Sequence, residues 1–218
     1  ERIHNIRRPK PDDFQIKQAI EKIKKSKKPI IISGGGVFYS DAMDELGSFA
    51  IKHNIPVTQT VMGYSTMKRD HSHFLGPIGG LGGRAANNLA KETDLAICVG
   101  TKLADFTTGS WANFENPEFK LVSINIARHD ANKHLAEAVI GDAKVCLSEL
   151  SNSLGNWKSP DSWYKKSQDE LKSWNEYVDK ESGPTNQETP TYAHAVGAIY
   201  RNSDPTDIAV TAAGGLVG

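Results

Sequence analysis

The sequence has no excess of charge, almost no cysteine, and no apolar run long enough to span a bilayer. Its 26 Lys and Arg balance 26 Asp and Glu, so no global field draws the chain to nucleic acid or to an anionic membrane. Small molecules or other proteins are the expected partners. Only two cysteines occur among 218 residues. Cys98 and Cys146 sit in apolar surroundings without metal-ligand spacing, which excludes a disulfide framework and suits a reducing compartment. The first ten residues, Glu1 to Lys10, lack the apolar segment of a secretion signal. A cytoplasmic, soluble chain is expected. No Ser-His-Asp or Cys-His constellation is supported by spacing.

The chain does contain alternating strand-like and helical patterns from residue 12 to about residue 154. Asp12 to Lys27 reads as a helix with Phe14, Ala19, Ile20 and Ile23 on one face. Strands are expected at Ile30–Ser33, Pro56–Thr60, Asp94–Gly100, Leu121–Ile126 and Ala138–Gly141. Helices lie between them, one carrying Ala42, Met43, Leu46, Phe49 and Ala50, another near Gly83–Lys91. Continuously apolar strands are buried on both faces, so the expected fold class is α/β, an open and mainly parallel Rossmann-like sheet with helices on both sides. After Gly155 the pattern changes. A charged helix from Asp161 to Lys180 carries Trp163, Leu171, Trp174, Tyr177 and Val178 on one stripe, and Ser182–Pro190 reads as a linker. Residues 1–155 are therefore expected to form the α/β domain and 156–190 a helix and linker. Residues 191–218 read as the opening of a further domain, with a helix at Thr191–Tyr200 and a strand at Asp207–Thr211. Such a piece cannot bury its own apolar faces, so the chain reads as part of a longer protein.

Pro29-Ile-Ile-Ile-Ser-Gly34-Gly35-Gly36-Val is the first candidate site. A dinucleotide turn wants a third glycine where Tyr39 stands, and an acid at the end of the second strand, which closes instead on Gln59-Thr60. No Gly-Lys-Ser/Thr follows, which excludes a P-loop. Two readings stay open: glycines that only turn the chain with positive φ, or a turn whose following helix, capped by Ser40 or Asp41, offers N–H groups to a nucleotide or other phosphate. Two more glycine-rich loops, Met62–Gly83 and Gly100–Gly109, lie after strands, with Lys102 and Asp105 as their best-placed ionisable groups. His71 and His73 alternate in a polar loop without a carboxylate or cysteine nearby, and His129 and His134 read as surface groups. The lysines from Lys22 to Lys28 have helical spacing and no interleaved aromatics, as on a solvated face.

The order of these motifs resembles the central domain of thiamine-diphosphate enzymes of the acetolactate synthase type. It is carried by Pro29–Val37, Ile55–Thr60, Leu75–Gly80, Asp94–Gly109 and Ser123–Ile126, over about residues 10 to 155. Asp105–Ser110, Asn125–His134 and Thr185–Ala193 look most like the branch that hydrolyses a cyclic dione in inositol catabolism. The resemblance implies thiamine diphosphate and magnesium in the full-length parent, a homodimer or homotetramer, and a cyclic dione as substrate. It places Ala213, Gly214, Gly215 and Leu216 on the cofactor's diphosphate, with the activating glutamate and the metal ligands outside this sequence. The 218 residues alone are then expected to be inactive and to bind no cofactor. Flavin-binding relatives have arginine where Phe106 stands, so FAD is not expected. The remaining readings are an acetolactate-synthase-like carboligase or decarboxylase, and a stand-alone nucleotide-binding or interaction module.

Overall fold

The structure is a computed structural model that describes residues 7–204 and 206–210. The chain divides into two compact units, Glu1–Glu170 and Leu171–Gly218. The first unit contains α1 (Asp13–Lys25), β1 (Pro29–Ser33), α2 (Gly35–Tyr39), α3 (Met43–His53), β2 (Val57–Gln59) and β3 (Phe74–Pro77). It continues through α4 (Arg84–Glu92), β4 (Leu95–Val99), α5 (Asp105–Thr108), β5 (Lys120–Asn125), α6 (Arg128–Ala131), β6 (Glu137–Ile140) and α7 (Ala143–Leu154). The unit boundary falls inside α8 (Asp161–Glu181), and α9 (Tyr192–Asn202) belongs to the second unit.

All six strands are parallel, in the order β3-β2-β1-β4-β5-β6. The order reverses between β1 and β4, whose register runs from Pro29 opposite Leu95 to Ser33 opposite Val99. Alternate residues of these strands serve different layers. Ile31, Leu95, Ile97 and Val122 join the core with Ile16, Leu46, Phe49 and Leu147 of α1, α3 and α7. Ile30, Ile32, Ala96 and Cys98 are buried outside that cluster. Both faces are thus dry, which explains why β1 and β4 read as unbroken apolar runs.

Helix ends follow local chemistry. Asp12 accepts from Phe14 N at 2.9 Å to start α1, and Asn54 in the left-handed region ends α3. Asp142 starts α7 by accepting from Lys144 N at 3.1 Å, and Arg8 pairs with the same carboxylate at 3.1 Å.

Four expectations need correction. Phe14 is 67% exposed, and Ile16 takes its place beside Ala19 and Ile23, because residues two apart on a helix point to roughly opposite sides and Ile16, not Phe14, shares the face of Ala19 and Ile23. Ser40 and Asp41 do not cap a helix N-terminus: Gly34 precedes α2 and Ala42 precedes α3, Ser40 is instead the C-cap of α2, and Asp41 (φ 52) lies in the turn between the two helices. Phe74–Pro77 is an edge strand and not a loop. Residues 207–210 form no strand; Ile208 and Val210 stand exposed, and no ladder partner exists for them among the described residues. Thr211 lies outside those residues. In the second unit, Arg201 Nη1 donates to Ser182 O at 2.6 Å, tying α9 to the end of α8, and residues 183–190 have neither helix nor strand.

Candidate functional site

Open parallel sheets place ligands beyond the carboxyl ends of their strands, at the point where strand order reverses. Here that point lies between β1 and β4, and the loops that follow them touch. Gly34 N donates to Val99 O and Gly36 N to Gly100 O, both at 2.9 Å, while Val37 N donates to Gly34 O at 3.0 Å. A Cβ on Gly36 would stand 2.6 Å from Gly100 Cα, and one on Gly34 would stand 2.4 Å from Thr101 Cβ. The glycines therefore let two backbones meet. None of Gly34, Gly35 and Gly36 has positive φ; Gly100, across the contact, does (φ +62). Of the two readings left open for the triple glycine, a turn with positive φ does not occur at these three residues; close approach, not handedness, requires the missing side chains.

Around this floor the loops carry a rim of exposed apolar groups, among them Tyr39, Met62, Tyr64 and Phe106. Lys102 and Asp105 are exposed on the loop after β4 and the first residue of α5. Asn87 holds the loop after β3 by accepting from Gly79 N at 2.9 Å and donating to Gly79 O at 3.0 Å, and Gly80 N reaches Phe106 O at 2.8 Å. Asn125, ending β5, donates to Thr101 O at 3.2 Å. Asp130, near the same edge, has its carboxyl held below the usual range, first by the Lys133 hydrogen bond. Gln59 ends β2 buried, with its Oε1 left without a hydrogen-bond partner. Its signal was a polar residue closing an apolar strand, which sequence reasoning had weighed only as a missing acid.

The other candidates lie apart from this edge or are inert. Burial pushes the Cys98 thiol far up and the Cys146 thiol up to about 12, so neither is a nucleophile at neutral pH. His73 lies in the turn before β3 but is buried there, and burial, with His71 beside it, lowers its pKa to about 4. His134 packs on Trp111 with ring centroids 4.6 Å apart. No group of three or more His, Cys, Asp or Glu among the described residues could hold a metal, and no described helix is long and apolar enough to cross a membrane. Ala213, Gly214, Gly215 and Leu216 lie outside the described residues.

The family described as thiamine pyrophosphate enzyme, central domain, matches residues 16–150. The chain belongs to that family. As a thiamine pyrophosphate enzyme central domain, it has relatives named 3D-(3,5/4)-trihydroxycyclohexane-1,2-dione hydrolase. The one from Clostridium perfringens (strain 13 / Type A) is 46% identical over 153 residues, covering 70% of this chain and 24% of the relative. The one from Clostridium botulinum (strain Eklund 17B / Type B) is 41% identical over 179 residues, covering 82% of this chain and 28% of the relative. The chain thus spans about a quarter of the length of these proteins. Among solved structures, that of a protein described as a thiamin diphosphate-dependent enzyme, isolated from Mycobacterium smegmatis, superposes with a TM-score of 0.57. It has 21% identity and covers 72% of this chain and 30% of that one. This likeness concerns the fold, the same parallel sheet flanked by helices.

Proposed function

We propose that the chain is the central domain of a cytoplasmic, thiamine-diphosphate- and magnesium-dependent hydrolase that opens trihydroxycyclohexane-1,2-dione to a deoxyglucuronate in inositol catabolism. The observation that carries this reading is 46% identity over 153 residues to a protein of that name. In the proposal, residues 156–190 link this domain to the thiamine-diphosphate domain, which opens at residue 191. Ala213–Leu216 approach the diphosphate there, and the assembly is a homodimer or homotetramer.

The described residues act as scaffold. When bound to the parent, thiamine diphosphate supplies the carbanion chemistry that breaks a C–C bond, and water then releases the product. Within this chain, Gly34–Gly36 and Gly100 hold the loops of the carboxyl edge together, and the apolar rim borders them. A flavin has no part in the proposal, because residue 106 presents an exposed phenyl ring and no cation to a diphosphate.

The test is an assay of a longer polypeptide containing this chain, supplied with thiamine diphosphate and magnesium. Consumption of the cyclic dione with appearance of the ring-opened acid is expected. Inertness toward the dione with conversion of pyruvate to acetolactate would replace this reading by the carboligase one.

A further inference from the structure

Across the sheet from the candidate site, residues 157–168 lie over the amino edge, held by two buried histidines. His53, the last residue of α3, has Nδ1 2.7 Å from Trp157 O and Nε2 3.3 Å from Ser151 Oγ. A neutral ring protonated on Nδ1 satisfies both contacts, donating to the carbonyl and accepting from the hydroxyl. Ser151 Oγ also receives the Lys52 ammonium at 3.1 Å, so a second proton on His53 would face a cation across one hydroxyl. Ser159 N donates to His53 O at 2.9 Å, and Ser159 Oγ donates to Asn54 O.

His73 makes the second attachment. Its ring stacks on Tyr164 with centroids 4.4 Å apart and planes at 25°. Nε2 lies 3.4 Å from Asn54 Oδ1 and Nδ1 lies 3.0 Å from Ser72 Oγ. Again one neutral tautomer suffices, with the proton on Nε2. Tyr164 OH and Gln168 Nε2 both donate to Ser72 O, at 3.1 and 3.0 Å. Trp163 Nε1 donates to Pro29 O at 2.8 Å, and Asn54 Nδ2 to Asp161 Oδ1 at 3.0 Å.

We propose that residues 157–168 form an acid-released latch, in which protonation of His53 and His73 detaches the segment from the amino edge while the parallel sheet stays folded. The charges acting on these rings support it. Lys52 on α3 and Lys158 on the latch act on His53, and the His71 imidazole faces His73; all oppose added positive charge. Asp161, the carboxylate of this contact, is engaged by Asn54. Burial, the largest cause, lowers both pKa values, that of His73 from 6.5 to about 4, and at His53 it outweighs the Trp157 carbonyl, whose hydrogen bond acts to raise it.

The sign follows from linkage. The docked state prefers neutral rings, so docking is at full strength above the free value of 6.5 and weakens as pH falls from there toward about 4. His73 alone would shift the docked-to-released ratio roughly tenfold between about pH 8 and about pH 5.5.

Hydrogen exchange of the 218-residue chain at those two pH values, corrected for the intrinsic rate, tests this. Protection across 157–168 should fall roughly tenfold or more relative to β1 and β4. In a double variant, His53→Gln, which keeps a donor for Trp157 O, and His73→Phe, which keeps the stack on Tyr164, that loss should vanish. Equal loss in latch and strands, or an unchanged loss in the double variant, would overturn the proposal. If the double variant does not fold, a ring-proton titration of the wild type decides. His53 and His73 should titrate below the free value of 6.5 and share a midpoint with the latch amides; midpoints at or above that value with unmoved latch amides would contradict it.

Discussion

At the amino edge of the sheet, the Asp94 carboxylate receives Ser26 Oγ and the backbone N–H groups of Lys27 and Lys28 at 2.8 and 3.1 Å. Glu92 beside it receives Lys28 and Lys166. At the carboxyl edge, Gly36 and Gly100 meet backbone to backbone with no side chain between them. One edge is joined by polar side chains that are consumed in the joint. The other is joined by the absence of side chains, which leaves the neighbouring rim of Tyr39, Met62, Tyr64 and Phe106 in solvent. An edge tied by carboxylates has few groups to spare for a ligand or partner. An edge tied by glycine keeps its surrounding side chains available, and this is the edge beyond which open parallel sheets generally place ligands.

This contrast can be broken most forcefully at Gly36. In Gly36→Ala the added carbon would stand 2.6 Å from Gly100 Cα and 2.9 Å from its carbonyl oxygen, and backbone on both sides cannot swing away. Overpacking at such a site is expected to cost about 3 kcal/mol, read as a lowered urea midpoint with an unchanged slope. A midpoint within error of wild type would mean that the two loops are not in contact. A smaller effect is expected at the other edge. Asp94→Ala leaves two backbone donors and a hydroxyl to find water at a half-exposed position, so about 1–2 kcal/mol is expected in the same experiment. If the order of the two effects were reversed, the carboxylate joint would be the dominant one, and the contrast between the edges would fail.

Much of the sheet was legible because β1, β4 and β5 are apolar on both faces, and that pattern belongs to parallel strands between helices. β3 was not legible. Gly76 and Pro77 look like turn chemistry, and only the position at the sheet edge makes a proline acceptable there. The reverse error arose at Asp207–Val210, where β-branched residues suggested a strand that has no neighbour among the described residues. At the candidate site, the glycines were found from sequence but the reason for them was not, since their partner, Gly100, is more than sixty positions away. The burial of His73 and of Gln59 escaped for the same reason: Tyr164 and the strand ends that enclose them are assembled only by the fold.

The central proposal is that these 218 residues act as scaffold, with the cofactor chemistry supplied by parts of the longer protein proposed above. On the proposed reading, the glycines of the Ala213-Gly-Gly-Leu sequence would offer a diphosphate a few N–H groups, each worth a net of about 0.5–1.5 kcal/mol. Lost freedom on association costs at least about 4 kcal/mol. Calorimetric titration of the chain with thiamine diphosphate and magnesium should therefore show no saturable heat up to millimolar ligand. Saturable micromolar binding by the chain alone would contradict the account, since it would put a complete cofactor site inside the residues assigned here to the scaffold.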